Sequence, residues 1–168
     1  MSSFAKRFIG VENLPAKMSE FDVQQAFCLS KDDVKAISER FRHDRRVAAA
    51  IQMLFLRASG RPMDRFASVP KTLLRSVCDA LQTSAVSIAT LLSLYERRQT
   101  LYEHQAWSRT YLGLEDLDDA KVEQLERVLA VAALEASHPD DLSEIARMWL
   151  YDRRIIIPGT RRVADLAR

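Results

Sequence analysis

From Val47 to Leu56 the chain is apolar on every side of a helix except at Gln52. A helix patterned in this way lies inside a bundle rather than on its surface. The neighbouring segments carry apolar residues on one face only. Ser19 is placed to cap a short helix over Glu20 to Phe27. Ser30, followed by Asp32 and Asp33 and then by Val34 and Ile37 at helical spacing, opens a second helix that ends near Glu39. The core helix is expected from Asp44, as its N-cap, to Ala58, where Gly60, Arg61 and Pro62 stop it. Pro70 suits the first position of a helix over Lys71 to Gln82, which sets Leu73, Leu74, Val77, Cys78 and Leu81 on one side. Ser84 is expected to cap Ala85 to Leu94, and Gln99 to Leu112 forms a helix ended by Gly113. Asp118 or Asp119 caps a helix over Ala120 to Ser137, Pro139 opens one from Asp140 to Asp152, and a short one covers Val163 to Ala167. The run Arg153 to Gly159 is β-like, but one isolated strand builds no sheet, so it is expected as an extended segment on the second bundle. In the N-terminal arm, Phe4, Phe8 and Ile9 suit a short helix broken by Gly10 and Pro15.

The pattern predicts an all-α fold of two tandem small helical bundles of helix-turn-helix-like type, with a short extended segment near the C-terminus. The expected division is an arm over 1–19, a first bundle over 20–82 and a second over 83–168. Two helices joined by about four residues fit a helix-turn-helix, and a plain αα-hairpin equally. Hydrophobic residues make up 48% of the 168, enough for a core, and four Gly with five Pro argue against an all-β fold. No apolar run approaches the length of a membrane span and no signal peptide is recognisable, so a soluble cytoplasmic protein is expected. Cys28 and Cys78 have no CxxC partner and read as idle thiols in a reducing compartment.

Charge changes this picture by its distribution rather than its sum. The formal net charge is only +2, yet Arg40 to Arg75 holds nine Lys/Arg against two acids, and Leu114 to Glu144 ten acids against two bases. Arg40, Arg42, Arg45 and Arg46 crowd the front of the core helix, where the macrodipole favours anions. An external phosphate at that helix N-terminus is the simplest compensation. A second arginine pair, Arg97-Arg98, follows Arg45-Arg46 by 52 residues and again sits at the start of a helix. On that helix Thr100, His104, Trp107 and Tyr111 follow one stripe, and Arg98, Tyr102, Gln105 and Arg109 a neighbouring one. Periodicity leaves open which of the two faces inward. Gln and Arg on an exposed helix suit adenine and guanine edges in the major groove.

Catalytic patterns are missing. There is no Gly-rich phosphate loop and no GxSxG elbow. His43, His104 and His138 lack a second ligand at helical spacing, so no metal or other cofactor is expected. His43 suits a DNA contact or solvent. Asp118-Asp119 and Asp140-Asp141 stand where helix starts favour acids, and capping explains them better than two-metal chemistry.

The fragments Leu29-Ser30 with Asp33, Leu54, Leu56-Arg57, Gly60-Arg61, Tyr95, Arg98, Thr100, His104, Gly113 and Pro158-Gly159 follow in a suggestive order. From about Phe21 to its end the chain resembles the N-terminal region of the replicative transposases of the Tn-three family, with Ile157 where Leu is expected. The resemblance implies recognition of transposon terminal inverted repeats by tandem helix-turn-helix-like bundles. It also implies a DNA-binding part without the Asp-Asp-Glu core, hence not an enzyme by itself. The remainder of a transposase, or a second copy, would be the protein partner.

The expected contacts to double-stranded DNA are Arg40, Arg42, His43, Arg45, Arg46, Arg57, Arg61, Lys71 and Arg75 from the first bundle. Arg97, Arg98, Gln99, Thr100, His104, Gln105 and Arg109 are expected from the second. The competing expectation is a helical protein–protein interaction module, in which the acidic segment pairs with a basic partner.

Overall fold

The computed structural model describes residues 6–168, and the expectation for Phe4 lies outside them. Among the described residues the named elements are α-helices and one 3-10 turn, with no strand: α1 (Glu20–Ala26), α2 (Lys31–Arg40), the 3-10 turn (His43–Arg45), α3 (Arg46–Ser59), α4 (Lys71–Leu81), α5 (Ile88–Glu96), α6 (Arg98–Leu112), α7 (Asp119–Ala132), α8 (Pro139–Asp152) and α9 (Thr160–Leu166). The fold is all-α, as the periodicity predicts.

Local chemistry accounts for most helix ends. Ser19 caps α1 through the Asp22 N–H. Ser30 and Asp33 form a reciprocal capping box at α2, the Asp33 N–H donating to Ser30 Oγ at 3.1 Å and the Ser30 N–H to Asp33 Oδ2 at 2.9 Å. Gly60 ends α3 with φ 77°, a left-handed conformation that glycine adopts without a Cβ penalty. Asp118 caps α7, and Pro139 stands in the first turn of α8. Other boundaries shift. Pro70 occupies the cap position of α4 rather than its first turn. The cap of α5 is Ser87, not Ser84, and that helix runs on to Glu96. Asp44 caps nothing; it lies inside the 3-10 turn, and the cap position of α3 is held by Arg45 without a side-chain hydrogen bond.

The chain divides into two compact units, residues 1–112 and 113–168. This boundary differs from the expected one after Gln82, for a reason of burial. Every residue of α3 from Val47 to Leu56 is buried, Gln52 included. A helix with no exposed side needs cover all round, and α6 packs along it together with α2 and α4. The Gln99 helix, expected in a second bundle, therefore belongs to the first unit. Gln52 is tolerated there because its amide pairs with one backbone: Nε2 donates to the Met63 carbonyl and Oε1 accepts from the Met63 N–H, both at 2.8 Å. A buried amide so satisfied escapes the desolvation penalty.

The second unit holds α7, α8 and α9 around Leu125, Leu129, Ala146, Leu150, Ile157 and Val163. The β-like run is indeed extended. It makes a single parallel bridge, Glu115 with Ile155, through Glu115 N–H to the Arg154 carbonyl at 2.9 Å and Ile156 N–H to the Glu115 carbonyl at 2.8 Å.

Candidate nucleic-acid interface

The front of α3 does not carry four arginines awaiting an anion. Arg46, its first residue, turns back onto the end of α2, where Nε donates to the Phe41 carbonyl at 3.0 Å and Nη2 to the Ser38 carbonyl at 3.2 Å. Terminal carbonyls carry the negative end of a helix dipole, so the conflict at this position is settled inside the protein. Arg57 is likewise spent on the interior. Its Nη2 donates to Asp33 Oδ2 at 2.7 Å, while the Tyr111 hydroxyl donates to Asp33 Oδ1 at 2.7 Å. Asp33 is only 4% exposed. Burial opposes its charge, but the Tyr111 and Arg57 hydrogen bonds and the Ser30 N–H outweigh that and hold its carboxyl below the usual range. Burial, and after it the same carboxylate, pushes the Tyr111 hydroxyl up to about 12. Arg61 is bonded to Glu12 at 3.0 Å.

On α6 the open question of the two stripes is resolved. Thr100 and His104 are buried, at 4% and 0% exposure. His104 Nδ1 lies 3.0 Å from the Tyr95 hydroxyl, which is also 3.3 Å from the Ala48 carbonyl of α3. The His104 ring meets the edges of Phe41 and Tyr95. Burial, with help from Arg45 against an opposing Glu103, lowers the imidazole to about 4; burial also raises Tyr95. Trp107 stacks on Tyr111 with centroids 5.0 Å apart. Gln105, expected to read bases, instead donates to the Met63 carbonyl at 3.1 Å and to Asp64 Oδ1 at 3.3 Å. Arg109 is half-buried.

What remains outward is a smaller set. Arg40 and Arg42 are exposed at the end of α2 and just after it, Arg40 lying over the Phe41 ring at 5.0 Å. His43 is exposed in the 3-10 turn. Arg97, Arg98 and Gln99 are exposed at the corner where α5 gives way to α6 through the single residue Arg97. The two corners meet. Asp44 and Arg45 from one and Arg97 and Thr100 from the other line a groove of about 500 Å³, closed by Thr90, Ser93 and Leu94 of α5. Arg45 sits 4.0 Å from Glu103, a loose pair, and its Nε is buried with no hydrogen-bond partner. Lys71 and Arg75 are exposed on α4, beside grooves of their own rather than this one. Sequence spacing could suggest the recurrence of Arg45-Arg46 and Arg97-Arg98 but not that one member of each, Arg45 and Arg97, would share a groove, since that depends on α6 lying along α3.

The first unit carries 17 Lys/Arg against 11 Asp/Glu, a net of +6, and the second 8 against 12, a net of −4. Among the described residues no group of three His, Cys, Asp or Glu is placed to hold a metal ion, and no helix is long and apolar enough to cross a membrane. Cys28 is exposed, Cys78 buried, and both are free thiols.

These features define an all-α protein with two compact helical units, the first bearing a clustered guanidinium surface. A family model described as a domain of unknown function, DUF4158, matches residues 10–168, and the chain belongs to that family. It is 30% identical over 166 residues to the transposase for insertion sequence element IS1071 in transposon Tn5271, from Comamonas testosteroni. That match covers 99% of this chain and 17% of the transposase, so the chain is transposase-related and spans a small part of that relative's length.

Proposed function

We propose that this chain is the part of a transposase that binds double-stranded DNA in a sequence-specific manner, at the terminal inverted repeats of its element. In this reading the first unit holds the duplex. Arg40, Arg42, Arg45, Arg97 and Arg98 neutralise phosphates, His43 and Gln99 lie at the edge of the same contact, and Lys71, Arg75 and Arg109 are peripheral to it. Arg46, Arg57, Arg61, Thr100, His104 and Gln105 build the surface from behind. Strand transfer belongs to other parts of a longer protein.

The observation that carries the reading is the meeting of two arginine-bearing corners around one groove on a unit of net positive charge, in a chain similar to a transposase. Phosphate neutralisation releases counterions, so each phosphate contact adds about 0.9 to the negative slope of log K against log salt. Replacing Arg42, Arg97 and Arg98 together by Ala is expected to lower that slope by about 2 to 3, measured by fluorescence anisotropy on a repeat-end duplex. An unchanged slope would overturn the assignment. The acidic second unit, with Val131 69% and Leu134 85% exposed on and just after α7, favours a second reading, a protein-interaction module. Under that reading cognate and scrambled duplexes bind equally weakly.

A further inference from the structure

The groove where the two corners meet leaves polar groups of the protein without partners. Thr100 lies at the back of this surface, only 4% exposed, and yet it lines the groove. Among the described residues its hydroxyl has no hydrogen-bond partner. Thr100 is the third residue of α6, where backbone N–H groups have no acceptor within the helix and the dipole presents its positive end. Arg45 enters from the other corner. Its Nε is buried with no partner, and its pair with Glu103 is loose, at 4.0 Å. A buried donor left unsatisfied is costly, so little holds this guanidinium where it rests, and turning toward an acceptor in the groove relieves it. On the α5 side Ser93 and Arg97, one turn apart and both exposed, complete the polar lining.

The charge of the lining selects among anions. Arg45 and Arg97 stand against one carboxylate, that of the exposed Asp44, which leaves a single positive charge. A phosphodiester carries one negative charge, whereas a phosphate monoester carries about 1.5 to 2. We infer that this groove is a socket for one particular phosphodiester of the duplex, held by the Thr100 hydroxyl, the start of α6 and Arg45, with Arg97 at its edge. The outlying arginines attract the backbone wherever it lies. A directional contact to one phosphate instead fixes the register in which a duplex is held. This rests on the DNA-binding reading and extends it from a charged surface to a defined site.

The test uses the full chain and the duplex it selects from a random library. Phosphates are replaced one at a time by methylphosphonate, which is neutral and lacks one acceptor oxygen. Hydrogen bonds to a charged group are strong enough that losing them weakens binding about tenfold or more. The expected result is one phosphate whose replacement has that effect on the parent, while replacements elsewhere do less. At that position the penalty should shrink in Thr100→Val and in Arg45→Met. Thr100→Val should not lower the thermal midpoint, since the lost hydroxyl bonds nothing in the protein, and Arg45→Met gives the same reading if the valine variant is unstable. Inorganic phosphate at matched ionic strength should leave the profile unchanged; if it erases the one sensitive position, the preference for a diester is wrong. If the duplex binds but all replacements cost alike, or the sensitive phosphate stays sensitive in both variants, the socket fails and DNA binding stands. If the chain enriches no duplex at all, the DNA-binding reading itself fails, and this one with it.

Discussion

His104 is a neutral imidazole sealed against Tyr95 and Phe41, and it costs the fold acid stability. Its folded value of about 4 lies below the ordinary 6.5. Between those two values the unfolded chain binds a proton that the folded chain refuses. Stability attributable to this group is therefore complete above pH 6.5, falls as pH drops through that window, and levels off near 4. The loss amounts to about 3 kcal/mol in all. His104→Gln, which keeps a non-titrating polar group beside Tyr95, should lack this component; urea melts of the two chains between pH 7 and 4 should converge as acidity rises. Parallel profiles would refute it. Asp33 works in a different window. Its carboxyl is held low, so its contribution is present above the ordinary 3.8 and disappears only as pH falls through the lower folded value. Both groups were visible in the sequence, His104 on a stripe of α6 and Asp33 as a helix-start acid. Neither role was, because Tyr111 lies 78 residues from Asp33 and no local pattern encodes that meeting.

At the scale of elements, the junction between α2 and α3 decides what the arginines do. The sequence places Arg40, Arg42, Arg45 and Arg46 side by side, and by proximity alone they look equivalent. The 3-10 turn separates them. Arg46 is rotated onto the Phe41 and Ser38 carbonyls, while Arg42 faces outward. Hydrogen bonds from a charged donor are worth about 1.5 to 3 kcal/mol. Arg46→Ala should therefore lower the unfolding free energy by about 2 kcal/mol, read by urea melts, and leave the salt slope of duplex binding as it is. Arg42→Ala should do the reverse. A common effect of both substitutions on the slope would mean that the two remain one phosphate-binding cluster. The Ser30 capping box and the Gly60 stop were legible beforehand because caps act within a few residues. The start of α5 was not, since Ser84 and Ser87 offer the same cap chemistry and local pattern does not choose between them.

For the whole molecule the informative boundary is Leu112 rather than Gln82. α3 is buried on every side, and α6 supplies much of its cover. A fragment ending at Gln82 would strip α6 from α3 and Tyr95 from the Ala48 carbonyl, and is expected to lose cooperative unfolding. One ending at Leu112 keeps the core cluster from Phe8 to Leu101. It should unfold in one transition and retain duplex binding with the salt slope of the full chain, since the net positive charge lies in this unit. Calorimetry and anisotropy on the two fragments check this; a cooperative fragment ending at Gln82 would contradict the role given to α6.

The sequence by itself determined the all-α class, most of the helices and the burial of α3, because each follows from periodicity and capping that act over one or two turns. It also marked out the arginine-rich corners. Only the tertiary structure decided which guanidinium groups stay outside, which unit α6 completes, and which of its stripes faces solvent. Those outcomes depend on side chains dozens of residues apart competing for the same carbonyl or carboxylate, and that competition is set by how the helices pack.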